Sequence, residues 1–396
     1  MLDMSPEGRE DVSMTTTQVQ ESTSDAAPAA RRAPAYEYSF PAIRGVQARR
    51  EFYVTMFPLR LIPRLFLFDE EELQPTLRAQ RTLNRARVPE IARYILDNPD
   101  GYVFSALTAS VDAEIHFEAL ATEGPEGRIG LLTIPMSARF VINDGQHRRA
   151  AIEQALRENP EIGDESIPVV LFLDVGLERC QQMFTDLNRY AIRPARSLTI
   201  LYDQREDAAQ IARLVVYRSP RWQNLVEMEK SNLSPRSRKL FTLSALYTAT
   251  KTLLEGLDGL ESEEAADIAI AYWNAVFDLF PEWQQVYDRK VTAGDIRRDF
   301  LHSHGIVLHA LGRTGNTLLR ESRKPRDWLK SLAGLKEIDW SRSNTALWEG
   351  RALIGGRVSK SSTNVVLTTN VIRHALGMSL GPEEQRIEDA YMRGDT

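Results

Sequence analysis

Hydrophobic and polar residues follow two different periods in the first half of the chain. Alternating apolar and polar residues predict β-strands, whereas apolar residues three or four positions apart predict amphipathic helices. The predicted strands cover residues 36–40, 52–62, 102–111, 115–120, 129–134, 140–142 and 167–175, and the predicted helices cover residues 88–96 and 177–188. This mixed order of strands and helices predicts a compact α/β domain that ends near residue 201.

The second half of the chain shows helical spacing almost throughout. The predicted helices cover residues 206–217, 239–257, 261–280, 295–311, 325–335 and 364–380. Pro281 is expected to end the third of these, because proline cannot continue a helix. The sequence therefore predicts an α/β domain at residues 36–202 and a mostly α-helical domain at residues 203–396. Residues 1–35 contain few large apolar side chains, and a disordered tail is expected there.

Composition limits the class of protein. The 396 residues are enough for two domains, and an apolar content of 43% can supply a buried core in each. The single cysteine, Cys180, excludes an internal disulfide framework and a Cys-x-x-Cys zinc site. No run approaches the ~18 apolar residues of a membrane helix. A cytoplasmic protein without a membrane partner is therefore expected.

The formal net charge is −6, from 49 basic and 55 acidic residues. A globally basic protein that coats DNA is excluded by this balance. Contact with DNA requires lysine and arginine only where the phosphate backbone lies. Any DNA-binding surface is therefore expected to be a local basic patch.

The turn at residues 143–149 carries the clearest candidate chemistry. A short apolar run leads into Asn-Asp-Gly-Gln-His-Arg-Arg, and a helical pattern follows until Asn159 and Pro160. Asp144 or Asn143 can cap that helix, and Gly145 lets the backbone approach a ligand closely. A helix start attracts anions, and basic side chains add donors there. The pattern predicts a phosphate pocket, but a plain capped helix with solvated arginines explains the same residues.

Residues 144–148, Asp-Gly-Gln-His-Arg, resemble the signature of the DGQHR-domain proteins, a branch of the ParB/sulfiredoxin-like superfamily. Within that branch the chain resembles the DndB family, which regulates bacterial DNA phosphorothioation. The resemblance continues at residues 184–188, 237–244 and 348–380. It implies a ParB/sulfiredoxin-like mixed sheet in the first domain, followed by the mostly α-helical domain.

The resemblance also implies a ligand. Sulfiredoxin-like members carry a redox cysteine at this turn, whereas Gln146 cannot form a thiolate. ParB-like members bind a nucleoside triphosphate with magnesium there, which implies the same cofactor here. The candidate phosphate-binding residues are Gly145, Gln146, His147, Arg148 and Asn188. The candidate catalytic residues are Asp144, His147 and Arg148, with Asp144 as a metal or water partner. An ordinary helix C-cap explains Asn188 equally well.

A second candidate site is the basic segment at residues 230–239. Its four basic residues, Lys230, Arg236, Arg238 and Lys239, occur without an acidic residue among them. Hydroxyl, amide and basic groups together can contact DNA phosphates, so the segment is a candidate DNA-binding loop. A solvated loop is the alternative interpretation.

Two other groups of residues resemble sites but are better explained by packing. His302 and His304 are two residues apart and cannot easily share a metal on a helix, and His309 is too far from His302. Core or interface histidines are therefore expected, and no metal site is predicted. Four aromatic residues at helical spacing are expected in the core or an interface: Trp273, Phe277, Trp283 and Tyr287.

The leading functional hypothesis is a DNA-binding repressor of a DNA phosphorothioate modification operon, gated by nucleotide at the turn of residues 144–148. The expected partner is promoter or phosphorothioated DNA, and a homodimer would match a palindromic operator. The first alternative is an NTPase coupled to DNA nicking. The second is a subunit that contacts other phosphorothioation proteins without binding DNA.

Overall fold

The computed structural model describes residues 36–66, 84–173, 177–189 and 194–394. The chain divides between residues 191 and 192 into two compact units. The tail predicted at residues 1–35 lies outside the described residues. None of the helices in the described ranges combines the length and hydropathy that a membrane span requires.

The first unit contains a mixed sheet of seven strands. The strands are β1 (Glu37–Gln47), β2 (Arg50–Pro58), β3 (Leu107–Asp112), β4 (His116–Ala119), β5 (Ile129–Pro135), β6 (Arg139–Asp144) and β7 (Ser166–Leu173). Their order in the sheet is β4-β5-β1-β2-β7-β3-β6. Strands β3 and β7 run parallel, and the other neighbours are antiparallel. The mixed-sheet prediction is therefore confirmed. The strands predicted at residues 115–120 and 129–134 correspond to β4 and β5, which pair as an antiparallel hairpin.

Helices complete the first unit. The described helices are α1 (Ile62–Leu65), α2 (Val88–Leu96), α3 (Gln146–Glu158) and α4 (Leu177–Arg189). The predicted second strand was wrong beyond Pro58, because the chain turns there through a 3-10 turn into α1. Pro63 stands in the first turn of α1, where proline is tolerated and a strand is interrupted. The side chains of Phe57, Leu107 and Ile152 are fully buried in the core of this unit.

The second unit is mostly helical, as predicted. Its helices are α5 (Arg196–Tyr202), α6 (Asp207–Arg218), α7 (Pro220–Leu225), α8 (Leu243–Leu254), α9 (Ser262–Leu279), α10 (Pro281–Tyr287), α11 (Ala293–Asp299), α12 (Gly305–Glu321), α13 (Pro325–Leu332), α14 (Thr345–Trp348), α15 (Ser362–Ala375) and α16 (Pro382–Arg393). Two short ladders join these helices: β8 (Val226–Glu227) pairs with β9 (Phe241–Thr242), and β10 (Leu353–Ile354) pairs with β11 (Arg357–Val358).

The single helix predicted at residues 295–311 was wrong. Helix α11 ends at Asp299, a 3-10 turn follows, and α12 begins at Gly305. The Ser303 hydroxyl donates to the carbonyl oxygens of Ile296 and Phe300, which satisfies groups at the end of α11. Local hydrogen bonding by this serine therefore competes with continuation of the helix.

Aromatic side chains form the core of the second unit. Trp222, Trp273 and Trp283 are fully buried, and the ring of Trp222 meets the rings of both others edge to face. Phe277 is also buried, whereas 37% of Tyr287 remains exposed. A core position is confirmed for Trp273, Phe277 and Trp283, whereas Tyr287, at the end of α10, does not lie in the core, and an interface role for it stays a prediction.

Candidate functional site

The turn between β6 and α3 depends on the backbone conformation of one glycine. Strand β6 ends at Asp144, α3 begins at Gln146, and Gly145 between them has φ 106° and ψ 15°. A β-carbon at Gly145 would lie 2.4 Å from Cδ2 of Leu107, a fully buried core residue. Only glycine tolerates both this left-handed backbone and this close approach. Gly145 therefore allows the chain to turn sharply from the end of β6 into the start of α3.

The predicted cap of α3 was wrong. Gly145 is the N-cap residue, and no side chain among the described residues caps the first turn of the helix. Asn143 is instead fully buried, and its Nδ2 donates to Ser110 Oγ at 2.8 Å and to Met183 Sδ at 3.2 Å. Asn143 therefore joins the sheet to α4, and within the described ranges the backbone amides at the start of α3 have no side-chain cap.

Asp144 and Arg148 form an ion pair across the turn. Arg148 Nη2 lies 2.7 Å from Asp144 Oδ2, and Arg148 Nη1 donates to the Ser105 carbonyl at 3.3 Å. The Arg148 side chain is 17% exposed, whereas that of Asp144 is 43% exposed. The carboxylate therefore remains open to solvent, and the guanidinium is held in a fixed position over Gly145.

His147 adds a neutral imidazole to the same turn. Its Nε2 accepts a hydrogen bond from the backbone N–H of Asn84 at 3.0 Å, which places the proton of the neutral ring on Nδ1. Burial and then the positive charge of Arg87 lower the pKa of His147, and Asp144 only partly opposes them. His147 can therefore donate to an anion through Nδ1 without carrying a charge.

The second arginine of the motif has a structural role that the sequence did not distinguish. Arg149 is buried, and its guanidinium donates to the carbonyl oxygens of Phe66 at 2.8 Å and Pro63 at 3.2 Å. It also pairs with Glu153 one turn along α3. Arg149 therefore ties α3 to the chain around α1 and faces away from solvent.

Two more predicted phosphate-binding residues lie near or beyond this turn. Gln146 is the first residue of α3 and is partly buried. Asn188 lies in α4, but its side chain is outside the described part of the structure. A ligand contact and a helix-capping role for Asn188 both remain predictions.

The candidate DNA-binding loop connects β8 to β9 in the second unit. Lys230, Arg236 and Arg238 are exposed, and no ion pair involves them among the described residues. Lys239 differs, because its Nζ donates to the Gln223 carbonyl at 2.8 Å and burial lowers its pKa. The loop thus presents three free basic groups and one that anchors it.

Arg297 of α11 holds this loop in place, and sequence reasoning missed it. Its Nη2 donates to the carbonyl oxygens of Ser234 at 2.8 Å and Ser237 at 3.2 Å, and its Nη1 contacts that of Leu233 at 3.4 Å. The approach is close, since a β-carbon at Gly294 would lie 2.3 Å from the Pro235 oxygen. The basic loop is therefore fixed to α11 by charge-assisted hydrogen bonds.

The histidines singled out by sequence contact other protein groups. His302 is buried, and its Nδ1 accepts from Trp283 Nε1 at 3.0 Å, which confirms it as a core residue. His304 Nε2 lies 2.8 Å from the Arg297 carbonyl oxygen, and His309 lies farther along α12. In the described ranges, no three His, Cys, Asp or Glu side chains are grouped so as to hold a metal ion.

Comparison with known families covers both candidate regions. The family model described as DndB, DNA-sulfur modification-associated, matches residues 40–379. The chain belongs to the DndB family. The matched region includes the turn at Asp144–Arg148 and the loop at residues 230–239. Searches of curated proteins and of solved structures found no significant match. Family membership therefore indicates involvement in DNA sulfur modification.

Proposed function

We propose that this DndB family member is a DNA-binding regulator that represses the genes of a DNA phosphorothioate modification system. The observation that carries the proposal is the loop at residues 230–239. It exposes Lys230, Arg236 and Arg238 without acidic partners among the described residues, on a backbone that Arg297 fixes. Family membership supplies the DNA-modification context.

A fixed loop suits phosphate recognition for an energetic reason. Lysine and arginine side chains gain affinity by displacing counterions from the DNA backbone. A loop that is ordered before binding loses less conformational entropy when it meets the duplex. The overall charge of −6 confines this attraction to the local patch. The loop therefore positions the protein on DNA, and base-specific contacts come from other residues.

We expect the double variant Arg236→Ala, Arg238→Ala to weaken operator binding about tenfold. We also expect the slope of the logarithm of the binding constant against the logarithm of the salt concentration to become shallower by about two, because two phosphate contacts are lost. Both side chains are exposed and unpaired in the described structure, so their loss leaves the fold intact. Lys239 stays unchanged, because its bond to the Gln223 carbonyl supports the loop. Fluorescence anisotropy over a salt series measures both quantities.

The matched control is Lys330→Ala, Lys336→Ala. It removes the same charge from two exposed lysines of the second unit, outside the loop. Equal losses for the two double variants would mean that net charge alone governs binding. Unchanged affinity and slope for the arginine variant would remove the loop from the DNA-binding surface.

We also propose that nucleotide binding at the turn of Asp144–Arg148 gates this regulator. Three features support the proposal: uncapped backbone amides at the start of α3, the donor Nδ1 of His147, and the fixed guanidinium of Arg148. Helix starts of this kind favour phosphate groups. Asp144 keeps an exposed carboxylate that can take magnesium or a metal-bound water.

We expect Arg148→Ala to weaken binding of a nucleoside triphosphate with magnesium by about tenfold or more, because it removes a charge-assisted contact with phosphate. Calorimetry with ATP, CTP and GTP measures the affinities and identifies the preferred base. Arg157→Ala is the matched control, since Arg157 is an exposed arginine of the same helix that pairs with Glu153. If the wild-type protein binds none of these nucleotides, the turn has only a structural role, and nucleotide gating of the regulator is contradicted.

A further inference from the structure

A cavity of about 610 Å³ lies within the second unit, beside the basic loop. Residues of that loop form one wall, and the beginnings of α8, α11 and α12 form the others. Its polar lining includes Asn232, Asp295, Arg297, Arg298, His304 and Lys360. The volume falls in the range typical of pockets for small molecules and cofactors.

Positive charge around the cavity exceeds negative charge. Within the described part of the chain, the guanidinium of Arg297 bonds only to carbonyl oxygens, and that of Arg342 likewise contacts the carbonyls of Arg297, Arg298 and Gly356. No hydrogen bond or ion pair of the Lys360 ammonium occurs within the described parts of the chain. Arg297 and Lys360 line the cavity and Arg342 lies close enough to act on His304, and none of the three has a carboxylate partner among the described residues.

The one acidic residue in the lining does not fully offset them. Asp295 already accepts from the Thr292 hydroxyl at 2.6 Å and pairs with Arg298 at 2.8 Å. Arg298 in turn makes a two-point contact with Asp299. These three side chains together keep one negative charge, so the three positive charges of Arg297, Arg342 and Lys360 are only partly offset.

The pKa of His304 responds to these positive charges. Burial lowers its pKa to about 4, and the charges of Arg342, Lys360 and Arg297 add to the effect, although the hydrogen bond with the Arg297 carbonyl opposes it. The imidazole is therefore neutral at physiological pH. A histidine that meets three cations and no close carboxylate indicates a positive potential at this wall of the cavity.

Lys360 is the group best placed to meet a ligand. Part of its side chain is exposed, while its ammonium lies 3.2 Å from the position a β-carbon would take at Gly305, the first residue of α12. Burial lowers its pKa, and no opposite charge counters that effect. An anion in the cavity would supply the missing partner and would also meet the start of α12.

We propose that this cavity binds a phosphate-bearing ligand, with Lys360 as its principal charged contact. The site lies in a different unit from the turn at Asp144–Arg148, and it does not rest on nucleotide binding there. Two sources can supply the phosphate: a free nucleotide, or a phosphate of the DNA strand that contacts the adjacent loop. Both present the same oxygen acceptors to the same cations.

The test uses the full chain carrying Arg148→Ala, so that the turn in the first unit contributes little to binding. Binding of ADP and of a short DNA duplex is measured for this background and for added Lys360→Ala or Asn232→Asp. Asn232 is exposed and lines the cavity, so aspartate there adds a repulsive charge without disturbing the fold. Lys330→Ala is the control, since that exposed lysine lies outside the lining.

We expect both cavity variants to weaken binding of one probe about tenfold, with Lys330→Ala within about twofold of the background. A loss confined to ADP identifies a free nucleotide as the source. A loss confined to the duplex identifies a backbone phosphate of DNA. If neither probe binds in the background, or if both bind equally well to the cavity variants, the proposed site is overturned.

Discussion

Replacing Gly145 by alanine is expected to destabilise the first unit by about 2–5 kcal/mol, from backbone strain and overpacking together. Alanine is disfavoured at φ 106°, and its β-carbon would lie 2.4 Å from the buried Leu107 side chain. Relief requires β3 or the start of α3 to move. Hydrogen–deuterium exchange of peptides from β6 and α3 should show faster exchange, and nucleotide binding at the turn should fall with it.

Gly124→Ala is the control for this variant. Gly124 lies in the same unit and also has a positive φ, of 80°, but the nearest atom to its β-carbon is the mobile carboxylate end of Glu126. Its backbone, at φ 80° and ψ −171°, lies in a region that is essentially restricted to glycine, so alanine there carries backbone strain of about 1–3 kcal/mol without the core clash. A loss of stability for Gly145→Ala smaller than that for Gly124→Ala would contradict a contribution from the contact with Leu107.

The sequence predicted those features of the fold that depend on local pattern. Alternation identified the strands β4 and β5, and helical spacing identified α2 and α9 with bounds close to those observed. The turn before α3 was also located, because glycine and polar residues interrupt the apolar pattern there. A strand pleats and a helix turns with fixed periods, so these elements can be recognised without knowledge of their neighbours.

Features that depend on distant contacts could not be predicted in this way. Arg148 and Arg149 are adjacent and chemically identical, yet one lies over the turn and the other is buried against carbonyls more than eighty residues earlier in the chain. Arg297 bonds to a loop about sixty residues before it. Its role was missed because nothing in the spacing around residues 295–299 indicates which carbonyls the guanidinium will meet.

Contacts between residues distant in sequence also connect α16 to the wall of the cavity. Asn364 at the start of α15 donates to the Gly350 carbonyl at 3.1 Å and accepts from Ser359 and Ser361 at 2.6 Å each. Lys360 stands between these two serines, so its position depends on the fold of residues 350–361. Arg351, in the same segment, is anchored by α16. Loss of that anchor should therefore affect both stability and the cavity wall.

Arg351→Met is expected to destabilise the second unit by about 3–5 kcal/mol, because it leaves a buried carboxylate without its charged partner. Arg351 and Glu388 are 10% and 9% exposed, and Arg351 Nη1 donates to Glu388 Oε2 at 2.9 Å. The guanidinium also lies 4.2 Å from the ring centre of Tyr391. All six tryptophans lie in this unit, so their fluorescence during urea unfolding measures the change.

A control variant and the pH dependence of stability distinguish loss of the buried Arg351–Glu388 pair from loss of one positive charge at the surface. Arg386→Ala breaks an exposed ion pair with Glu383 on the same helix and should cost no more than about 1 kcal/mol. Burial alone would raise the pKa of Glu388, but hydrogen bonds from Arg351 and Asn370 hold it below its usual value. The stability it contributes is therefore present above the pKa of an unfolded glutamate and is lost as the pH falls through the lower folded value. Arg351→Met should abolish this acid-sensitive stability, because Glu388 then favours its protonated form. An unchanged pH profile would contradict the buried pair as the anchor of α16.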